Sequence, residues 1–148
     1  MTQTQGQNYF EILNLDRSDM IEVLEQGIVG HLGCVNHNEV YVVPITYAYA
    51  QGCVYSHSRP GKKIEMMRQS PHVCFQVEDI DNVTHWKSVI AWGEFEEIRG
   101  PDLGMAKELL LNKLADNMKE NDLNALSNAI IYRIKISKIT GCAESDSL

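Results

Sequence analysis

The sequence predicts a mainly β fold with peripheral α-helices: a small six-stranded antiparallel barrel. Three observations carry that reading. Runs rich in β-branched and aromatic residues recur at short intervals between turn signals, as at 30–35, 39–50 and 53–57. Several of the links between them are too short for a parallel crossover, so those neighbours pair antiparallel. Helical periodicity is confined to a segment near the start, one insertion, and the region beyond Pro101. At 148 residues and 44% hydrophobic, the chain has material for one core and reads as a single domain over 1–148. No disulfide or structural metal is needed to hold a core of that size.

The elements follow in order. Residues 1–8 are polar and read as a tail. A helix is expected over 19–26, capped by Ser18, with Met20, Val23 and Leu24 sharing a face and Gly27 ending it. Strand 30–35 leads through a turn at 36–38 into a long strand over 39–50. Pro44 cannot donate to a ladder, so it marks an edge, a bulge or a point where the sheet opens and a ligand could enter. Gln51-Gly52 turns the chain into strand 53–57. A helix with Ile64, Met67 and Arg68 on one side then runs to Ser70-Pro71. Strand 72–78 alternates, with Val73, Phe75 and Val77 on one face, and 79–82 reads as an acidic loop. Strand 86–98 contains Gly93, a bulge or close-approach position. Pro101 opens a helix with the stripe Leu103, Ala106, Leu110 and Leu114. A shorter helix is expected at 123–129 behind Asp122. The last strand, 131–139, alternates Tyr132, Ile134 and Ile136 with Arg133, Lys135 and Ser137, so one face meets water. Residues 143–148 read as a loose acidic tail.

Charge narrows the function. Thirteen Lys+Arg against 20 Asp+Glu give a net charge of −7, a poor match for nucleic-acid phosphates. No apolar run reaches membrane-spanning length, and the start lacks a signal peptide's basic and apolar regions, so a cytoplasmic protein off the membrane is expected. Cys34, Cys53, Cys74 and Cys142 stand alone, without C-x-x-C or a histidine at ligand spacing, so neither a zinc site nor disulfides are expected. The three in strand-like runs read as buried thiols. His31, His37, His72 and His85 read as structural or surface positions, Trp92 and Phe95 as core or dimer contacts, and Glu96-Glu97 with the 78–81 run as solvated surface.

The informative segment is 58–63. Arg59, Lys62 and Lys63 crowd the start of a helix beside Pro60-Gly61, at the positive end of its dipole, where cations are mildly unfavourable. A bound phosphate explains them: helix N–H groups, the Ser58 hydroxyl and the ammonium groups would hold it. A solvated turn that happens to be basic is the competing reading. No P-loop or G-x-G-x-x-G is present, so neither a nucleoside triphosphate nor a Rossmann-bound dinucleotide has motif support. Pro44, Thr46, Tyr47, Tyr55, His57, Trp86 and Ser88 surround the turn with aromatic and small polar side chains that suit a flat aromatic ligand bearing one phosphate.

Six runs, in one order, carry a resemblance: GHLGCV at 30–35, VVPITY at 42–47, VYSHS at 54–58, GKKI at 61–64, PHVCF at 71–75 and WKSVIAWG at 86–93. Together they resemble the pyridoxamine 5′-phosphate oxidase-like, FMN-binding split-barrel superfamily, and within it the flavin-nucleotide-binding proteins related to nitroimidazole-resistance (Nim-type) reductases. The likeness covers 16–100, and 131–140 resembles the family's final strand. Gly141-Cys142 departs from the Gly-Lys that relatives often carry, so no basic role is carried over there.

The resemblance implies a six-stranded split barrel that forms a homodimer, with FMN in each of two clefts at the subunit interface. Lys62 and Lys63 match the phosphate-gripping positions, with Ser58 beside them. Val43, Pro44, Ile45, Thr46 and Tyr47 match the strand bordering the isoalloxazine, and Tyr55, Ser56 and His57 the strand after it. Trp86, Ser88 and Val89 match a strand that helps enclose the flavin, from the same subunit or its partner. His57, one residue before the basic turn, is the candidate catalytic side chain, able to hydrogen-bond flavin or substrate or relay a proton; a histidine satisfied at its strand end is the alternative. The implied activity is an FMN-dependent oxidoreductase passing electrons from NAD(P)H to a small organic acceptor, nitroaromatics included. A non-catalytic flavin carrier or sensor is the alternative, and a haem-binding split barrel a more distant one. Pyridoxamine phosphate oxidation itself is not expected, because no C-terminal basic segment offers a second phosphate site.

Overall fold

The computed structural model describes residues 11–117, 124–144, 146 and 148. The expected tail at 1–8, Asp122 and Leu123 of the expected short helix, and positions 145 and 147 lie outside the described residues.

Among the described residues eight strands form where six are expected: β1 (Ile12–Asn14), β2 (Val29–Asn36), β3 (Glu39–Thr46), β4 (Ala48–Ala50), β5 (Cys53–Ser58), β6 (His72–Asn82), β7 (His85–Glu97) and β8 (Ile130–Glu144). All pair antiparallel, in the order β3-β2-β6-β7-β8-β5-β4, with β1 added alongside the end of β8. The expected single strand over 39–50 is two. Tyr47 alone separates β3 from β4, yet these strands occupy opposite ends of the order. A chain that passes between the two ends in one residue forces the sheet to curl into a barrel. At the seam side chains do the joining: the Ser56 hydroxyl donates to the Thr46 carbonyl at 2.6 Å, and Thr46 Oγ1 lies 3.4 Å from His57 Nε2. This is a split barrel. Pro44 sits, as its chemistry requires, on the end strand β3.

The helices bracket the sheet. α1 (Arg17–Gln26) is capped by Asp16, not Ser18: the Asp16 carboxylate accepts the Asp19 N–H at 2.9 Å and the Ser18 hydroxyl at 3.0 Å. A carboxylate is the stronger acceptor for helix N–H groups, so Ser18 becomes a donor inside the first turn. Val23 and Leu24 enter the barrel core with Leu32, Phe75, Val89 and Tyr132. Tyr47, fully buried, donates to the Leu24 carbonyl at 2.7 Å and ties the seam to α1. α2 (Lys62–Gln69) links β5 to β6 and buries Ile64, Met66 and Met67. α3 (Asp102–Leu114) lays Ala106, Leu110 and Leu114 over Tyr55 and Ile131, forming a second core outside the barrel. Strand β5 is therefore covered on both faces, Val54 inside and Tyr55 outside.

Other expectations are corrected. The acidic stretch 79–82 continues β6, and the turn falls at 83–84, where the Asn82 side chain accepts the Thr84 N–H. Charges there face water on a hairpin ribbon and do not interrupt pairing with β7. β8 runs to Glu144, so 143–144 are strand and both buried, Ala143 between β7 and β1 and Glu144 paired with β1. Among the described residues of the expected helix at 123–129, Asn124–Ser127 form a single 3₁₀ turn. Glu96 and Glu97 are not simply solvated: Glu96 pairs with Arg133 and Lys135, Glu97 with Arg68 and Arg99. Cys34 is buried, whereas Cys53 and Cys74 are only half-buried. Gly93 is the close approach expected of it: the register shifts beside it, and an added Cβ would lie 2.2 Å from the Lys135 carbonyl oxygen. Among the described residues no helix is long and apolar enough to cross a membrane.

Candidate functional site

Local chain geometry builds the site around the head of α2. β5 ends at Ser58, and Arg59-Pro60-Gly61 turns the chain into the helix. Gly61, the N-cap, has no side chain to close the first turn, so the leading backbone N–H groups have no intrahelical acceptor. That end of the helix opens on a cleft of about 600 Å³. Thr46, His57, Ser58, Lys62 and Lys63 line it, together with Tyr41 from β3. Leu114 and Ala129 add apolar surface to its lining.

The two lysines differ. Lys62 is exposed and already paired with the Glu39 carboxylate, its ammonium 4.9 Å from the Tyr41 ring centre; that carboxylate raises its pKa. Lys63 is half-buried, and burial lowers its pKa, opposed by the nearby Cys34 thiol. An ammonium that has lost water and gained no carboxylate has the greater reason to accept an anion. His57 lies against the same charge: burial first, then Lys63, lowers its pKa, so the ring is neutral at pH 7. Cys34 is pushed up to about 11 by burial and stays a thiol. The Ser58 hydroxyl donates to the adjacent Arg59 carbonyl at 2.7 Å, so in this arrangement its proton is already engaged.

Of the positions matched by resemblance, Thr46, His57, Ser58, Lys62 and Lys63 are brought together. Ser56 is buried behind them, bonded to Thr46. Val43 is half-buried against the core, Pro44 is exposed on the outer face of β3, and Ile45 and Tyr47 are core. Tyr55 packs under α3. Trp86, Ser88 and Val89 lie on β7, away from this cleft: Trp86 is half-buried opposite Ile80, Val89 is in the core, and Ser88 lines a separate cavity of about 140 Å³ with Cys142. Sequence reasoning misses Tyr41 and Glu39. Alternation would have placed Tyr41 on the inner face with Val43 and Ile45, but nothing local marks Glu39 as the partner of Lys62.

Compared with known proteins, residues 16–143 match the family model described as pyridoxamine 5′-phosphate oxidase. An uncharacterised protein of Rhizobium meliloti (strain 1021) is 34% identical over 84 residues, 57% of this chain and 56% of that protein, so the chain spans about half the length of this curated relative. Among solved structures, an FAD-binding protein from Mesorhizobium loti is 30% identical with a TM-score of 0.79, covering 90% of this chain and 97% of its own. A protein proposed to confer 5-nitroimidazole antibiotic resistance in Bacteroides thetaiotaomicron VPI-5482 is 20% identical with a TM-score of 0.73, covering 90% of each chain. An FAD-binding protein from Mycobacterium smegmatis is 19% identical with a TM-score of 0.67, covering 88% of this chain and 96% of its own. The last two likenesses bear on the fold alone.

Proposed function

Because the chain belongs to the pyridoxamine 5′-phosphate oxidase family, we propose that the cleft at the head of α2 binds a flavin by its phosphate. The observation that carries this is the uncapped helix start and the half-buried Lys63, which has no carboxylate partner among the described residues, opening together on a cleft of about 600 Å³. FMN is the smallest flavin that carries the phosphate this site would hold. FAD, named for the Mesorhizobium loti relative, contains the same phosphate-bearing half.

Bound there, the flavin would supply two-electron transfer from a nicotinamide donor to a small organic acceptor, nitroaromatics included. The chain's own groups divide the remaining work. Lys63 and the α2 N–H groups take the phosphate, and Thr46 orients the neutral His57 ring through Nε2. His57 is the group we assign to hold or pass a proton at the cleft wall. The apolar surface of Leu114 and Ala129 limits water.

We propose that the working form is a cytoplasmic homodimer. β3 is apolar on both faces, with Tyr41, Val43 and Ile45 inward and Val40 and Val42 outward at 72% and 60% exposure. A strand apolar on both sides is built to be covered on both. Val35 and Trp92 extend the same outer groove.

Visible spectroscopy of the freshly purified protein tests the reading. A flavin spectrum, or saturable binding of FMN to protein stripped of ligand, is the expected result, and anaerobic bleaching by NADH or NADPH separates a reductase from a carrier. No flavin retained and none taken up would overturn it, and a Soret band would replace it with haem.

A further inference from the structure

A second cleft, of about 350 Å³, opens where the end of α2 and the starts of α3 and β8 meet. It is separate from the cleft at the head of α2, and Ala129 is the one lining residue they share. Its floor is apolar: Ile98 and Ile131 are buried and joined by the Ile98 N–H donating to the Ile131 carbonyl at 2.8 Å, with Leu103 packed beside them. Arg68, Glu97, Arg99 and Lys107 supply the charges around it. Two of these have a structural account. Glu97, only 18% exposed, accepts from Arg68 at 2.5 Å, which ties β7 to α2 and places a cation in that helix's last turn, where its dipole favours one. Arg99 and Lys107 are left over. Arg99 is a second guanidinium on the same carboxylate, at 2.7 Å and 80% exposed, and exposed pairs of this kind contribute little to folding. Lys107 pairs with no carboxylate among the described residues. Its neighbours three and four positions away on α3 are Leu103, Gly104, Leu110 and Leu111, none of them acidic. In a chain of net charge −7, two surplus cations thus converge on an apolar slot.

We infer that the second cleft is a binding site for a small organic carboxylate with an apolar body, an aromatic or branched-chain acid. The body takes the floor of Ile98, Leu103 and Ile131, and the carboxylate takes Arg99 and Lys107. Arg99 spends one guanidinium nitrogen on Glu97, which holds the group in place and leaves its other N–H donors for a planar carboxylate. Lys107 adds a compact charge without a rival acid to displace. The floor decides the class of anion: a bare inorganic ion would leave it wet, whereas a carbon body removes that apolar surface from water. This site goes beyond the flavin reading and does not depend on it.

The experiment titrates the full chain by calorimetry with benzoate, with benzyl alcohol and with inorganic phosphate, each with and without saturating FMN. Benzoate should bind about tenfold or more tightly than either of the other probes, and FMN should leave its affinity unchanged. The double variant Arg99→Ala with Lys107→Ala should weaken benzoate about tenfold while benzyl alcohol stays within about twofold. Both positions lie outside the two cores, and circular dichroism checks the fold; Lys107→Glu alone is the second variant, expected to weaken benzoate without affecting benzyl alcohol. No benzoate binding at millimolar concentration overturns the inference. Equal affinity for benzoate and benzyl alcohol overturns it by removing the cations, and equal affinity for benzoate and phosphate by removing the floor. Benzoate that FMN displaces and that the folded double variant still binds normally occupies the first cleft, which also overturns it. None of these results decides the flavin reading, which stands or falls on FMN binding itself.

Discussion

Lys63→Ala should weaken flavin binding far more than Lys62→Ala, although the two residues are adjacent and chemically alike. Lys63 is half-buried with no carboxylate partner among the described residues, and it lines the cleft beside His57. A hydrogen bond to a charged group is worth roughly 1.5–3 kcal/mol. Lys63 keeps part of its surface in solvent, and screening brings the expected loss to about 1.5–2 kcal/mol, or about ten- to thirtyfold in Kd. Lys62 must give up Glu39 to reach a phosphate, so its removal changes affinity by no more than a few-fold. Glu39→Gln releases Lys62 and should tighten binding. The assay is fluorescence titration of ligand-stripped protein with FMN at low and high salt, since added ions weaken the exposed Lys62 more than Lys63. Wild-type affinity in a folded Lys63→Ala protein, or a larger loss from Lys62→Ala, would refute the reasoning.

The other predictions concern the fold and its pH response. His57 has a folded pKa below its unfolded value of 6.5, so its contribution to stability is fully present above that pH and is lost as pH falls through the folded pKa. His57→Gln should flatten the decline of the urea midpoint between about pH 7 and pH 5; an identical slope in both proteins would remove His57 from that response. Tyr47→Phe strands the buried Leu24 carbonyl and should cost about 1–3 kcal/mol by urea unfolding at unchanged m, an account that an unshifted midpoint contradicts. Gly93→Ala drives a Cβ into the Lys135 carbonyl and should cost at least about 1–3 kcal/mol, so a wild-type melting temperature would show the contact to be looser than described. Val42→Glu on the outer face of β3 should convert the proposed dimer to monomer in light scattering behind size exclusion; a wild type that is itself monomeric at micromolar concentration would disprove the dimer.

Much of this fold is legible in the sequence because the signals are local. The Gln51-Gly52 turn, the Ser70-Pro71 stop and the apolar stripe of α3 each announce themselves within a few residues. What escapes is set by distant partners. Ile12–Asn14 is too short to show periodicity and becomes a strand only because the end of β8 is there to pair with it. The division at Tyr47 is invisible in a run that is apolar throughout, since it arises from which sheet edge each half joins. The basic turn and His57 are readable as a cluster from spacing alone. The difference between Lys62 and Lys63 is not, because it depends on Glu39, 23 residues earlier, lying across the mouth of the cleft.

The place of the cleft follows from topology. β5 and β6 are consecutive in the chain but not neighbours in the sheet: β5 lies between β8 and β4, and β6 between β2 and β7. Their connection must therefore cross an end of the barrel, and α2 makes that crossing. A helix so placed begins where β5 ends, which is also where the seam with β3 ends, beside Thr46 and His57. The seam lacks the continuous ladder that would fill this space with backbone, and an uncapped helix start faces it. Lengthening β3 through Tyr47 to pair with β5 would close the seam and remove the cleft. It would also pull the Tyr47 hydroxyl from the Leu24 carbonyl and unseat α1. One residue at the junction of β3 and β4 thus keeps the barrel packed on its inside and open at its edge, and the cleft proposed to take a phosphate lies at that break.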